Sequence, residues 1–324
     1  MDNVAFPATL VDVRGTTLAV ATGPPELAGQ VPLAWRTMRL TVIGCAGSFP
    51  GPDSPASSYL VEADGFRMLL DLGNGALGVL QRHIGLFDID AICLSHLHGD
   101  HCLDMASYWV ARTYAPDGPK PMIPVYGPAG TAERLAGAQG RSIAREMSPA
   151  FAFETLTPGA SRIGPFEITV DHMNHPVETF AFRLEQGGRA LAYSADTGES
   201  AALVRLARGA DLLLCEASFA DVAPSPPGWP GSPGRPGSPG RPGPLAGPPH
   251  SPNPPDLHLT GRQAGQHAAR AAVGELVLTH LVAWNDRAST LAEAASAFGG
   301  PVSLAASGRI FDLDGPGNVF HTTS

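Results

Sequence analysis

The hexapeptide His-Leu-His-Gly-Asp-His at residues 96–101 places four metal-binding side chains within six positions. Residues 91–94, Ala-Ile-Cys-Leu, precede it and have the apolar character of a buried strand. Imidazole and carboxylate groups bind zinc, manganese or iron, and side chains from one tight loop can reach two adjacent ions. A surface loop that is merely rich in histidine is a poor explanation for this density of ligands. The hexapeptide therefore predicts a metal-binding loop at the end of a strand.

The chain has 324 residues, 44% of them hydrophobic, which is enough for one large domain or two small ones with a sizeable core. No window approaches the ~20 uninterrupted apolar residues of a membrane helix, and the N-terminus lacks the basic stretch of a signal peptide. We therefore expect a cytoplasmic protein without membrane association. The four cysteines show no Cys-x-x-Cys spacing and are expected to be reduced and mostly buried.

The formal net charge of −9 disfavours binding to a long, negatively charged nucleic acid. Proteins that grip a polynucleotide backbone carry clusters of Lys and Arg, and no such cluster is found in the sequence. Bound divalent metals would supply positive charge locally on an otherwise acidic protein. A small anionic substrate is thus favoured over a long nucleic acid.

Two composition breaks divide the chain. Residues 1–37 contain no motif, and we expect an N-terminal extension that is disordered or is not translated, with Met38 as the true initiator. Residues 221–256 are dominated by Pro and Gly and repeat Gly-Ser-Pro-Gly-Arg-Pro twice. Such a segment cannot form a packed core and is interpreted as a solvated linker, with a polyproline ligand as the alternative. The remainder of 38–324 is expected to form one continuous domain.

Strand and helix patterns alternate within this domain, which predicts an α/β fold. Helical periodicity is found at residues 200–208 and 262–273, and short apolar runs of strand length are found at 38–44, 58–61, 68–71, 190–193, 211–215 and 276–279.

Three further ligand candidates are His175, Asp196 and His280, each at the end of a short apolar run or in the loop after it. Residues at the ends of successive strands converge on one edge of a sheet, where active sites are commonly built. A single histidine after a strand is more often a satisfied polar residue. The ordered set of hexapeptide, His, Asp and His is what favours a metal site.

With this set, the chain resembles the metallo-β-lactamase fold superfamily, in the branch that includes ribonuclease Z. It is similar to an actinobacterial subgroup described as atypical class II cyclic-nucleotide phosphodiesterases. The likeness spans Met38 to about Leu313 and is carried by Gly-Pro-Asp-Ser-Pro-Ala-Ser at 51–57, Leu-Ser-His-Leu-His at 94–98 and Cys-Glu-Ala-Ser at 215–218. The resemblance implies a four-layer αββα sandwich with a dinuclear metal site along one edge.

The resemblance also assigns the ligands: His96, His98 and His175 to one metal, Asp100, His101 and His280 to the other, and Asp196 to both. Zinc is the expected metal, with manganese or iron as alternatives that accept the same ligands. Two divalent ions ~3.5–4 Å apart can hold a hydroxide between them, which suits phosphodiester hydrolysis. The sequence contains no Gly-x-Ser-x-Gly elbow or P-loop that would indicate another mechanism.

By the same resemblance, Glu216 and His258 form the pair that donates a proton to the leaving oxygen. Asp100, Glu216 and His258 are thus the candidate catalytic residues. A purely structural interpretation of His258 places it at a helix start, beside Thr260 as N-cap. Asp71 matches an aspartate that braces the metal loop.

Ribonuclease Z enzymes usually insert a tRNA-gripping arm between the residues that match His175 and Asp196, but only 20 residues lie there. We therefore expect a dinuclear phosphodiesterase of a small nucleotide, with 3′,5′-cyclic AMP as the leading substrate. The alternatives are a tRNA 3′-processing endoribonuclease, a thioester or lactone metallo-hydrolase, and a metal-binding regulatory scaffold. Because related proteins commonly form dimers, a homodimer is a candidate assembly.

Overall fold

The computed structural model describes residues 38–140, 147, 149–221 and 256–313. The expected extension at 1–37 and all but the two end residues of the expected insert at 221–256 lie outside the described residues. The strands are β1 (Arg39–Gly44), β2 (Ser58–Ala63), β3 (Phe66–Leu70), β4 (Ala91–Cys93), β5 (Ile123–Gly127), β6 (Phe151–Thr155), β7 (Gly159–Ile163), β8 (Phe166–His172), β9 (Phe180–Gln186), β10 (Arg189–Tyr193), β11 (Leu212–Glu216), β12 (Glu275–Thr279), β13 (Val302–Leu304) and β14 (Ile310–Asp312). The helices are α1 (Ala76–Leu80), α2 (Gly99–Cys102), α3 (Asp104–Thr113), α4 (Thr131–Ala138), α5 (Ala201–Leu206), α6 (Gly261–Ala271) and α7 (Arg287–Ala297).

The strands form two mixed seven-stranded sheets, in the orders β14-β1-β2-β3-β4-β5-β6 and β13-β12-β11-β10-β9-β8-β7. In the first sheet, β1, β2, β3 and β14 pair antiparallel, whereas β3 to β6 pair parallel. In the second sheet, β7 to β10 pair antiparallel and β10 to β13 pair parallel. Each sheet therefore has a parallel half whose strand ends share one edge.

Alternating side chains explain why the sheets are covered on both faces. In β1, Leu40 and Val42 belong to the core between the two sheets, whereas Ile43 belongs to the core between the first sheet and its helices. This period of two is what a strand buried on both faces requires. Helices α1, α3 and α4 cover the first sheet, and α5, α6 and α7 cover the second. The expected four-layer αββα sandwich is confirmed.

Each of the eight segments expected from the sequence lies at a strand or helix of the structure, with bounds that differ by at most two residues. The helix expected at 262–273 begins at Gly261, after Thr260 as N-cap, and the cap forms a full capping box with Gln263. It ends earlier than expected because Ala272 adopts a left-handed φ of 53°. All four cysteines are free and buried, as the sequence predicts. Among the described residues, no helix has both the length and the apolar character needed to cross a bilayer.

Candidate metal centre

The predicted ligands meet where strands of the two sheets end. The hexapeptide follows β4 of the first sheet, whereas His175, Asp196 and His280 follow β8, β10 and β12 of the second. A backbone hydrogen bond of 3.0 Å from the Phe180 amide to the Ser95 carbonyl joins the two sheets beside the hexapeptide. The sandwich therefore brings residues that are far apart in the sequence to one edge.

Left-handed residues end the strands around this edge. Asp71, Ala195 and His280 have φ values of 62°, 51° and 54°. Non-glycine residues rarely adopt this conformation, and it costs of order 1–3 kcal/mol at each position. The surrounding contacts hold the backbone there, and each strand turns abruptly so that its ligand or bracing side chain lies in the site.

The first ligand group contains His96, His98, His175 and Asp196, whose ligand atoms all lie within 4.8 Å of one another. His98 Nδ1 lies 3.1 Å from His96 Nε2 and 3.3 Å from His175 Nε2. These three nitrogens, with one carboxylate oxygen, are a donor set suited to a divalent transition metal.

The second ligand group contains Asp100, His101, Asp196 and His280. His101 Nε2 lies 3.2 Å from His280 Nε2, and His280 Nε2 lies 3.0 Å from Asp100 Oδ2. Asp196 Oδ1 lies 3.3 Å from His101 Nε2, while Asp196 Oδ2 lies 3.7 Å from His96 Nε2. The two oxygens of Asp196 thus face different ligand groups, as a shared ligand requires.

The residues present fit two cations. Imidazole nitrogens at these separations cannot all carry protons, and burial is the largest cause that lowers the pKa of His96, His98 and His175. Asp196 Oδ1 is buried and has no hydrogen-bond partner within the described residues. A buried carboxylate oxygen without a donor is costly, and a cation would satisfy it.

Asp71 fixes the orientation of His101. The Asp71 carboxylate accepts hydrogen bonds from His101 Nδ1 at 2.8 Å, from the Ser95 amide at 2.7 Å and from the Tyr193 hydroxyl at 2.7 Å. With Nδ1 engaged by Asp71, Nε2 is the nitrogen that faces the second ligand group. Asp71 is fully buried, so the bracing role implied by the resemblance agrees with its contacts.

Two other ligands are held in the same way. His175 Nδ1 donates to the Leu257 carbonyl at 2.9 Å, which leaves Nε2 for the first group. The Ser218 hydroxyl lies 2.7 Å from His280 Nδ1 and 2.9 Å from Glu216 Oε2. With the hydroxyl donating to the carboxylate, His280 Nδ1 donates to the hydroxyl and its Nε2 remains free. Ser218 therefore connects a ligand to the neighbouring acidic residue.

Glu216 and His258 form a hydrogen-bonded pair beside both ligand groups. His258 Nδ1 donates to Glu216 Oε1 at 2.9 Å, and the same nitrogen lies 4.0 Å from Asp196 Oδ2. Burial opposes protonation of His258, but the Glu216 carboxylate outweighs it and raises the pKa of this imidazole to about 9. The ring centroid of His258 lies 5.4 Å from that of His175 and 5.5 Å from that of His280.

Close backbone packing makes two glycines necessary at the site. A Cβ on Gly73 would clash with the Asp100 carbonyl, and a Cβ on Gly47 would clash with the His280 carbonyl. The backbone amide of Ser48, the residue after Gly47, donates a hydrogen bond to Asp100 Oδ2 at 2.9 Å. The loop at 45–49 therefore packs against two predicted ligands, Asp100 and His280.

The structure brings all seven predicted ligands together, with Glu216, His258 and Asp71 beside them. Two described histidines outside the predicted set, His172 and His267, make other contacts. His172 is exposed and stacks on Phe180, and His267 accepts the Ser200 amide at 3.0 Å. Sequence reasoning missed the roles of Ser48, Tyr193 and Ser218, although the last two lie within or beside the motifs that carried the prediction.

Comparisons with known proteins show which family model, relatives and solved structure this chain is similar to. A family model described as the beta-lactamase superfamily domain matches residues 67–281. Protein ML1173 of Mycobacterium leprae is 41% identical over 290 residues, covering 87% of this chain and 91% of that protein. A ribonuclease Z of Mycolicibacterium paratuberculosis is 30% identical over 272 residues, covering 76% and 86%, respectively. The crystal structure of the metallo-β-lactamase fold protein YhfI from Bacillus subtilis matches with a TM-score of 0.68 and 26% identity over 85% of this chain and 99% of that chain.

Proposed function

We propose a hydrolytic function for this chain because it belongs to the β-lactamase superfamily and is similar to a protein described as a probable metallo-hydrolase. The proposed activity is that of a dinuclear phosphodiesterase acting on a small nucleotide, with 3′,5′-cyclic AMP as the leading substrate. The observation that carries this proposal is the pair of ligand groups that share Asp196, with the Glu216–His258 pair beside them. Zinc is the proposed metal, since three imidazoles and a carboxylate in the first group suit it.

When bound, two divalent ions supply a water-derived nucleophile and neutralise charge on the phosphoryl oxygens. His96, His98, His175 and Asp196 would hold one ion, and Asp100, His101, His280 and Asp196 the other. Every predicted ligand is an imidazole or a carboxylate that would be engaged with an ion, so none of them would be free to act as a nucleophile. This donor set supports hydrolysis by direct attack on phosphorus.

His258 is suited to protonate the oxygen that leaves. Its Nδ1 is engaged by Glu216, so Nε2 is the atom that can donate to a substrate. The side chain lies beside both ligand groups and is 12% exposed. It is therefore mostly buried, yet open enough to contact a substrate bound at those groups. Glu216 holds this proton donor in place through a carboxylate that also accepts the Thr197 amide at 2.7 Å.

A small substrate is favoured by the segment between His175 and Asp196. It forms an antiparallel hairpin of β9 and β10, in which Arg189 pairs with Gln186 across the turn. A tight hairpin does not extend as a nucleic-acid-gripping arm would, and the net charge of −9 disfavours contacts along a polyphosphate backbone. These features support a nucleotide that occupies only the site itself.

The ribonuclease Z relative makes RNA the second candidate substrate. Purified zinc-loaded protein should be assayed against 3′,5′-cyclic AMP, bis(p-nitrophenyl) phosphate and a 3′-extended tRNA precursor, with Asp196→Ala as the inactive control. Turnover of cyclic AMP that Asp196→Ala abolishes is the expected result. Turnover of the tRNA precursor alone would overturn the proposed substrate, and no turnover of any phosphodiester would overturn the phosphodiesterase.

A further inference from the structure

Two exposed aromatic side chains, Phe49 and Trp284, pack against each other next to the metal centre. Their exposed fractions are 38% and 59%, and their ring centroids lie 5.4 Å apart at an interplanar angle of 42°. Exposed tryptophan surface is costly in water, and small-molecule sites are lined predominantly by hydrophobic and aromatic side chains. We call these two residues the aromatic pair.

Both rings are anchored to predicted metal ligands through short lengths of chain. Phe49 directly follows Ser48, whose amide hydrogen-bonds to the Asp100 carboxylate at 2.9 Å. Trp284 lies four positions after His280, a stretch that spans at most ~14 Å when fully extended. The pair thus stands on the side of the second ligand group.

The loops that carry the aromatic pair are fixed to each other and to the site. The Gly47 amide donates to the Leu281 carbonyl at 3.1 Å, and the Asn285 side chain donates to the Ser218 carbonyl at 2.6 Å. A cavity of about 190 Å³ is lined by residues of both loops, among them Ala46 and Ala283, but by neither ring. The backbone that carries the two rings is therefore held to the site, and the rings themselves stand outside this cavity.

The spacing of the rings decides how a planar ligand could bind. A base inserted between two rings needs ~7 Å from ring to ring, which is twice a van der Waals contact. At 5.4 Å and 42°, the aromatic pair leaves no such slot. A base would instead stack on the outer face of the pair, chiefly on the more exposed Trp284.

We propose that the aromatic pair is the nucleobase subsite of this protein, on which the base of a nucleotide stacks while its phosphate lies at the ligand groups. This inference rests on the proposed function, because it presumes a nucleotide substrate. Stacking on an aromatic face tolerates any base, so the subsite would distinguish nucleotides from diesters without a planar ring rather than one base from another.

Binding of 5′-AMP, the product expected from cyclic AMP, tests the subsite by calorimetry without any turnover. The zinc-loaded wild type, Trp284→Ala, Phe49→Ala and Trp284→Phe are compared, and Tyr114→Ala serves as the matched control because Tyr114 is an exposed aromatic residue outside the site. Trp284→Ala is expected to weaken 5′-AMP binding roughly tenfold, whereas Trp284→Phe retains most of it. Ribose 5-phosphate, which lacks the base, should bind wild type and Trp284→Ala equally.

Unchanged 5′-AMP affinity in both Trp284→Ala and Phe49→Ala would overturn the subsite, as would wild-type protein that binds ribose 5-phosphate as tightly as 5′-AMP. Equal loss of both ligands in Trp284→Ala would also overturn it, since that pattern indicates a disturbed metal centre. Failure of the wild type to hydrolyse cyclic AMP, by contrast, refutes the proposed substrate while the binding comparison still decides the subsite.

Discussion

Replacing His258 with alanine tests the proton-donor role most directly. The imidazole makes a hydrogen bond of 2.9 Å to Glu216 and belongs to neither of the two ligand groups that share Asp196, although its nitrogen also lies close to ligand atoms of Glu216 and His280 in a third group. Glu216 keeps donors from the Thr197 amide at 2.7 Å and the Ser218 hydroxyl at 2.9 Å after the truncation. The buried carboxylate therefore stays satisfied, and we expect the fold and the metal content to survive.

The rate should then fall by the contribution of general acid catalysis alone. That contribution is ~10²–10⁴-fold, which corresponds to a barrier about 2.7–5.4 kcal/mol higher. The full loss is expected for cyclic AMP, whose ribose oxygen is a poor leaving group and needs the proton. Bis(p-nitrophenyl) phosphate should lose roughly tenfold or less, because nitrophenolate leaves without protonation.

The assay is kcat/KM for both substrates in the wild type and in His258→Ala, with metal content measured by mass spectrometry on the same samples. His172→Ala is the control, since His172 is exposed, stacks on Phe180 and belongs to no ligand group. Equal losses for the two substrates at unchanged metal content would refute the proton-donor role of His258. A fall in metal content would show that the side chain instead helps to hold an ion.

Three further changes test the site and the fold. Asp196→Asn removes the charge shared by both ligand groups, so metal analysis should show loss of both ions; retention of both would contradict the shared-ligand role. Gly73→Ala forces a Cβ against the Asp100 carbonyl and should lower the free energy of unfolding by roughly 1–3 kcal/mol in urea titrations, whereas Gly78→Ala, with no atom near its Cβ, should not lower it. Thr260→Ala breaks the capping box of α6 and should cost about 1 kcal/mol in the same titrations; no change would show that tertiary packing alone holds the helix end.

Local sequence patterns were enough to predict the structural features that depend only on residues close together in the chain. The N-cap at Thr260 and the strand before the hexapeptide are short-range features, and both are found where the sequence indicates them. The helix end at Ala272 was misplaced because a left-handed residue other than glycine stops the helix, and nothing in the side chain of alanine signals this.

Several long-range contacts around the site could not be predicted in this way. Tyr193 donates to Asp71 across 122 positions of sequence, and Tyr59 contacts Thr279 across 220. The Ser48 amide that reaches Asp100 has no side-chain signature at all. Such contacts depend on how the two sheets pack, so a single sequence offers no periodicity or spacing from which to infer them.

The amino-acid sequence alone was enough to predict a metal-binding loop. The four ligand side chains of the hexapeptide can be recognised in the sequence because imidazole and carboxylate groups are chemically distinctive and lie close together there. The family resemblance already divided the ligands between two metals, gave Asp196 to both and paired Glu216 with His258. The tertiary structure was needed to show that these side chains lie close together and that the aromatic pair lies beside them. The physical reason is distance. Residues at the ends of separate strands become neighbours only when the two sheets close into a sandwich, and only then do burial and charge act between them.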